Sequence, residues 1–518
     1  MYNPDADCPL TVTWSSALSA APLSETCTQE RANIRRTSSE DGRRRHRSVE
    51  QWLNPLMLCC SMPTESTAPP QFHEEGLRRQ LSAAQMAMVA VGGSIGTGLL
   101  LGSGAAMEIA GPAAILSFLA AAFVNWTVAM ALGELACAHP AAGSFGVYGE
   151  LYLNSFAGFI ARAGYWVGLA LAIGTEMIAA ATYMSVWFPG MPPYFWIIVF
   201  GALLLVINLR SVGSYGRVEF WLSMIKLATI IAFILIGAAL LTSGRAVPQY
   251  NAQGGFFPAG SWAPVVALTY AIYSFGGVEM VAVTTGESRS TKDIPRAVWM
   301  TFLTLTVVYV GAIVILLGVM PWNRAGVSES PFVTTFRTVR IPHASGLMNF
   351  VVLTAALSGA NATLYVASRM VFSLARTGWA PASLGRLNHE GSPQNAVLHS
   401  SFGILLALGL VLFVPQNAFR YMLGAAFTGM ILSWLVSLAA HISFRRRRSP
   451  AEVAKLPLRS PLGIWGSVFG FLAVTLSLLQ TWLHPLVNLW SGLTLIGVLT
   501  LAFIVLKRQP LKGQTSNT

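Results

Sequence analysis

Charged residues are scarce in this 518-residue sequence, at 10% of the chain against 54% hydrophobic. That balance leaves too little polar surface for an ordinary water-soluble domain. Cysteine is almost absent after the first 61 residues: only Cys137 of the five remains, so no disulfide framework can hold the body together. Aspartate is equally rare there. Asp293 is the one Asp beyond residue 61, which excludes a paired-aspartate protease. The body's histidines (His73, His139, His343, His389, His399, His441 and His484) fall in loops or near the ends of apolar runs, without HExxH or other ligand spacing, so neither a metal nor a cofactor site is read. What the sequence does hold is a series of long apolar runs, from about residue 85 to the last dozen residues, with a mean hydropathy of +0.58. This is the pattern of a polytopic membrane protein.

The first 61 residues read differently from everything after them. Seven Arg (Arg31, Arg35, Arg36, Arg43, Arg44, Arg45, Arg47) balance seven acids, and Cys8, Cys27, Cys59 and Cys60 lack metal-ligand spacing. There is no apolar period and no h-region with a cleavage site, so a secretory signal is not expected. The expected organisation is a cytoplasmic extension over residues 1–76, either disordered or an over-long start assignment ahead of Met57 or Met62. A transmembrane domain over 77–508 and a cytoplasmic tail over 509–518 follow it.

Apolar runs long enough to cross about 30 Å of hydrocarbon number twelve. They lie near 85–106, 112–137, 156–187, 194–210, 217–242, 263–283, 299–320, 345–372, 397–414, 419–443, 462–481 and 485–506. With a cytoplasmic N-terminus, the loops and flanks assigned inside carry 21 Lys and Arg against 5 outside (Arg245, Arg324, Arg337, Arg340, Arg420). An error of one span would invert every later loop, so this asymmetry favours twelve spans with both termini cytoplasmic. The net charge of +12 is therefore loop charge, and no nucleic-acid partner is expected. The run Arg445 to Arg448, directly after the tenth span, reads as a stop-transfer anchor.

Two spans are interrupted by glycines. The first reads Gly92-Gly93-Ser94-Ile95-Gly96-Thr97-Gly98 and the sixth Tyr273-Ser274-Phe275-Gly276-Gly277-Val278-Glu279. Irregular backbone inside a bilayer is tolerated only where it is buried in protein or lines a cavity. Two breaks five spans apart are what an inverted five-helix repeat would give. Where span one restarts near Thr97 and Gly98, unpaired amides and a positive helix end suit a carboxylate. Where the first half of span six ends near Tyr273 to Phe275, free carbonyls suit an ammonium group. Together they describe a receptor for a zwitterion. Gly98 and Gly102 also form a GxxxG pair that would let two helices approach. A dinucleotide fingerprint lacks its preceding strand and a P-loop lacks its Lys.

These residues resemble the amino acid-polyamine-organocation superfamily, and most closely its bacterial and fungal amino acid permease branch. The resemblance is carried by Gly92 to Leu99, Gly102-Ser103-Gly104, Gly111-Pro112, Gly133-Glu134-Leu135, Tyr270 to Glu279, Ile294-Pro295-Arg296-Ala297 and Ser368-Arg369-Met370, and it spans about Leu77 to Arg508. It implies an all-α integral membrane protein of twelve transmembrane helices. The implied fold is leucine-transporter-like, with spans one to five and six to ten as inverted repeats and two extra helices. It implies a secondary transporter in the cytoplasmic membrane, importing an amino acid with protons. Ser94, Ile95, Gly96, Thr97 and Gly98 would then hold the substrate carboxylate, and Tyr273, Ser274 and Phe275, with Gly276 and Gly277, the amino group and a gating aromatic. The family often has a Ser-Gly pair in span ten, where this chain reads Leu423-Gly424-Ala425-Ala426-Phe427.

Ionisable residues inside spans are expensive and therefore functional suspects. The sequence map places four there: Glu134, Glu176, Lys226 and Glu279. Lys226 matches the lysine that, in proton-coupled relatives, stands in place of a second sodium ion. It is read as a proton-coupling residue, the alternative being a lysine snorkelling to the cytoplasmic interface. Glu279 is read as a proton carrier or as a cap on the broken helix. Glu176 is read as a coupling or substrate-side acid or a packing residue, and Glu134 as structural. Tyr273 is read as a gate or as packing, and Asn361 as cavity lining or a helix-joining group. An exchanger, a sodium-coupled transporter and a transporter-derived amino acid sensor stay open. A channel would favour a short pore motif in a symmetric oligomer, and a serine nucleophile at Ser94 has no His base in its stretch.

Overall fold

The computed structural model describes residues 81–140, 144–209, 212–252, 254–326, 330–338, 344–389, 391–483 and 489–507. The expected extension over 1–76 and the tail over 509–518 lie outside the described residues. About the membrane body, a helix follows each apolar run and stops where glycine, proline or a cap intervenes. α1 (Ala83–Ser94) opens on a capping box, in which the Ser82 hydroxyl accepts from the Gln85 amide and the Gln85 side chain accepts from the Ser82 amide. A turn of π geometry (Gly98–Gly102) leads into α2 (Ser103–Ala110), and a Gly111-Pro112 corner into α3 (Ala114–Ala138). α4 (Ser144–Tyr152) is a short helix that no apolar run announces. α5 (Ser155–Ser185), α6 (Pro193–Asn208) and α7 (Val212–Thr242) complete the first half.

The second half repeats the pattern of a broken helix followed by long ones. α8 (Ala263–Ser274) and the short α9 (Met280–Thr284) flank the second break, and α10 (Asp293–Val319), α11 (Pro331–Thr338) and α12 (Ala344–Arg376) follow. The ninth apolar run is divided at Ser401 into α13 (Gln394–Ser400) and α14 (Phe402–Phe413). The chain ends through α15 (Ala418–Arg447), α16 (Pro450–Val453), α17 (Gly463–Leu483) and α18 (Leu489–Lys507). Among the described residues eight helices are long and apolar enough to cross a membrane, one of them the merged Ala83–Ala138 path, and Pro193–Asn208, Ala263–Ser274 and Leu493–Leu506 are shorter apolar helices.

Burial separates a centre from a lipid-facing rim. The most apolar stretch of α12 is 83% buried and that of α7 only 22%. α5 packs along both α12 and α15, so the centre is built from α5 and α12, while Trp221, Leu235, Val307 and Leu405 point outward. An apolar surface of that extent fits hydrocarbon and not water. Close helix approach relies on missing side chains: a Cβ on Gly429 of α15 would sit 2.4 Å from the Gly164 carbonyl oxygen of α5. α7 is outward-facing overall, yet its buried residues Glu219, Ser223, Lys226, Ile230 and Phe233 recur at helical spacing, the three polar ones bonding α1 and α12 and Phe233 packing on Phe332 and Phe336 of α11.

Candidate functional site

The first break begins at Ile95, whose backbone leaves helical geometry at ψ 82°. Carbonyls that would have received helical amides are exposed there and must find donors. The Lys226 ammonium, reaching in from α7, donates to Gly92 O at 2.6 Å and Ile95 O at 3.1 Å. Glu176, reaching in from α5, accepts at Oε1 from both the amide and the hydroxyl of Thr97, each at 3.0 Å. A cation thus sits on the carbonyl side of the break and an anion on the amide side, as the local dipoles favour. Ser274 donates to Gly98 O at 2.9 Å and Ser330 to Leu100 O at 2.7 Å, while the Ser103 hydroxyl bonds back to Leu99 O. Glycine leaves room for the acids: a Cβ on Gly96 would lie 2.4 Å from Glu176 Oε1, and one on Gly92 2.2 Å from Glu219 Oε1, so either would displace a carboxylate end.

The second break closes mostly on itself. α8 ends at Ser274, the Gly276 amide donates to Tyr273 O at 2.9 Å, and Gly277 adopts φ +111°, a conformation that favours glycine. The Gly277 amide donates to Glu279 Oε2 at 3.0 Å, and the Tyr165 hydroxyl of α5 donates to Glu279 Oε1 at 2.7 Å. The two breaks touch, because a Cβ on Gly277 would meet Ser94 Oγ at 2.5 Å and Ser94 N at 2.8 Å.

Between the breaks lies a cavity of about 50 Å³, room for a few water molecules. Of the residues singled out in the sequence, Ser94, Gly96, Gly98, Glu176, Tyr273, Gly276, Gly277 and Glu279 line it. The others stand behind that wall. Thr97 holds Glu176, Ser274 ties α8 to Gly98, Ile95 is buried and offers its carbonyl to Lys226, and Lys226 grips the outer side of the break. Phe275 is fully buried between Phe118 and Tyr309, with ring centroids at 6.5 and 4.8 Å. Tyr273 faces Phe427 at 5.9 Å. Two expectations shift. The Thr97 amide, assigned to a substrate carboxylate, is taken by Glu176, and the Lys226 ammonium is 1% exposed and bonded to carbonyls, not extended to an interface.

The map of four intramembrane charges was incomplete. Glu219 is fully buried on α7, accepting from Ser358 at 2.7 Å, Asn361 at 2.8 Å and Ser223 at 3.1 Å. Asn361 in turn accepts from Asn208 at 2.8 Å, so it joins α6, α7 and α12. Glu219 lies at the start of the expected fifth span, but α7 begins seven residues earlier, which places it about two turns inside the helix. The signal available was the Glu219-Ser223-Lys226 stripe at helical spacing. Three residues counted as loop or flank cations are also paired with carboxylates. Arg162 bonds Glu150 at 3.0 Å, Arg369 bonds Glu287 at 3.1 Å beside Tyr365, and Arg445 bonds the buried Glu134 at 2.6 Å. Among the described residues no cluster of His, Cys, Asp and Glu could hold a metal ion.

The family model for amino acid permeases matches residues 85–507. The aromatic amino acid transport protein AroP of Escherichia coli K12 is 35% identical over 419 residues, covering 79% of this chain and 92% of that protein. AroP of Salmonella typhimurium LT2 is 35% identical over 389 residues (74% and 85%), and the uncharacterized amino acid permease YtnA of Bacillus subtilis 168 is 34% identical over 400 (76% and 86%). The match runs through both breaks and the helices that hold them. The chain is therefore a multi-pass membrane protein that belongs to the amino acid permease family, a family of transporters and not of enzymes.

Proposed function

We propose that this protein is a secondary active transporter that imports amino acids across the cytoplasmic membrane by proton symport with alternating access. The observation that carries the reading is the cavity between two adjoining helix breaks, one of them held by Lys226. In this reading twelve helices cross the bilayer with both termini cytoplasmic, ten of them forming two inverted five-helix repeats. Ser94 and the free backbone groups of the Ser94 to Gly98 and Tyr273 to Gly277 stretches bind the substrate, the Thr97 amide excepted because Glu176 holds it, and Tyr273 gates it. The two AroP relatives favour an aromatic side chain on that substrate.

Lys226, Glu279 and Glu176 are the groups that couple transport to protons. Loss of the Lys226 proton would remove a cation from the Gly92 and Ile95 carbonyls, loosening α1 from α7. Binding at Glu279 would compete with the Gly277 and Tyr165 donors that fix the second break. Both events move a helix half and not merely a side chain, which is what alternating access requires.

The test is uptake of a labelled amino acid panel into liposomes containing the purified protein, first under an imposed pH gradient and then under a sodium gradient. Accumulation of an aromatic amino acid under the pH gradient alone supports the reading. Accumulation under sodium alone points to a sodium-coupled transporter, uptake only into substrate-loaded liposomes to an exchanger, and binding without any uptake to a sensor.

A further inference from the structure

The cavity has an electrostatic character that the two helix breaks alone do not give it. Its lining includes two carboxylates, Glu176 and Glu279, and no basic side chain. Lys226 lies behind the first break, committed to Gly92 O and Ile95 O. The two carboxylates are not equivalent. Both oxygens of Glu279 are engaged, one by Tyr165 and one by the Gly277 amide. Glu176 has both of its hydrogen bonds on Oε1, and Oε2 has no partner although it is shielded from solvent. The Ser94 hydroxyl on the same cavity wall is also buried and unpartnered. Buried polar atoms are almost always paired, so two orphans beside one cavity mark the places a ligand completes.

We propose that Glu176 is the receptor for the substrate's ammonium group: Oε2 accepts a hydrogen bond from the amine while Oε1 remains on Thr97. The inference deepens the transport reading and rests on it. A carboxylate can only accept, and an ammonium can only donate, so the pairing is complementary and charge-assisted. Ser94 can donate to the substrate carboxylate, which fixes the zwitterion's direction across the cavity. The positive helix end at Thr97, the place a free carboxylate would otherwise occupy, is already neutralised by the protein's own anion. A ligand lacking the amine would leave Oε2 unpaired and set a second anion beside it. Sites built to bond a polar group reject analogues without it far more strongly than they reject changes in apolar size.

Equilibrium binding of labelled L-phenylalanine to the purified full-length protein, without a gradient, tests this. Phenylalaninamide keeps the amine, and 3-phenylpropionate keeps only the carboxylate. In the unaltered protein the amide should displace the label and phenylpropionate should be weaker by about 100-fold or more. In Glu176→Gln, phenylalanine affinity should fall by about 100-fold and the preference for amine-bearing ligands should shrink to a few-fold; Glu176→Asp should restore part of that preference. Equal displacement by the two analogues in the unaltered protein overturns the assignment whatever the variants do. So does unchanged phenylalanine binding by Glu176→Gln, and in either case the transport reading stands. If no amino acid of the panel binds the unaltered protein, the transport reading fails and takes this inference with it.

Discussion

The two helix breaks solve the same problem with different chemistry. Each frees backbone groups inside a membrane body, and each is lined by glycine. The first is held from outside: Lys226 comes from α7, Glu176 from α5, Ser274 from α8 and Ser330 from the segment before α11. The second is held largely from within, by the left-handed Gly277, the Gly276 turn and Glu279 two residues after Gly277, with Tyr165 as a distant donor. A break held by ionisable side chains on other helices can be released when those side chains change charge. A break that caps itself can move as a unit. In the proposed mechanism the first break is released from other helices, through Lys226 and Glu176, and the second from within its own cap, through Glu279.

Substitutions can break this comparison. The largest effect is expected for Gly277→Val, which places a branched side chain at φ +111° and against Ser94. Strain and overpacking together should cost about 2–6 kcal/mol, read as a fall in thermal unfolding temperature with loss of uptake. A full-activity, full-stability variant would show that the breaks do not meet as described. Gly96→Ala should be milder, because its Cβ displaces only the end of Glu176. Losing the Thr97 bonds to that carboxylate should cost about 2–3 kcal/mol, with weakened substrate binding in a folded protein.

Glu279→Gln should be smaller again. A carboxamide keeps an acceptor for one of its two donors and turns an NH₂ toward the other, at about 1–3 kcal/mol. The pH dependence of uptake should change with it, and an unchanged profile would leave Glu279 as a cap only. The smallest effect on transport is expected at His139, beyond the end of α3 and away from both breaks. Burial, reinforced by the Arg448 charge, lowers its pKa to about 4, and its Nε2 lies 2.6 Å from the Tyr152 hydroxyl. The unfolded chain binds this proton first, so stability should fall as pH drops from about 6.5 toward 4, and His139→Gln should flatten that slope while leaving coupling intact. A coupling defect in His139→Gln would mean that charge remote from the first break also drives transport.

The breaks, the lysine and the apolar helices were legible because each has a local signature: glycine clusters, a lone basic residue in an apolar run, and run length. What was illegible is which charges the packed helices enclose. Arg162, Arg369 and Arg445 sit at span ends, where a count of positive charge assigns them to cytoplasmic loops, yet each is paired with a carboxylate, buried for Arg369 and Arg445 and half-exposed for Arg162. Their partners Glu150, Glu287 and Glu134 lie 12, 82 and 311 residues away, beyond any local pattern. The glycine break likewise predicted free amides near Thr97 and Gly98, because local sequence cannot place Glu176 of another helix on Thr97.

The central claim is that Lys226 links the first break to the proton gradient. Proteoliposomes containing Lys226→Ala should be compared with the unaltered protein for two quantities, accumulation of labelled substrate under a pH gradient and binding of that substrate at equilibrium. The account predicts that accumulation is abolished while binding stays measurable. Undiminished accumulation by Lys226→Ala would contradict it.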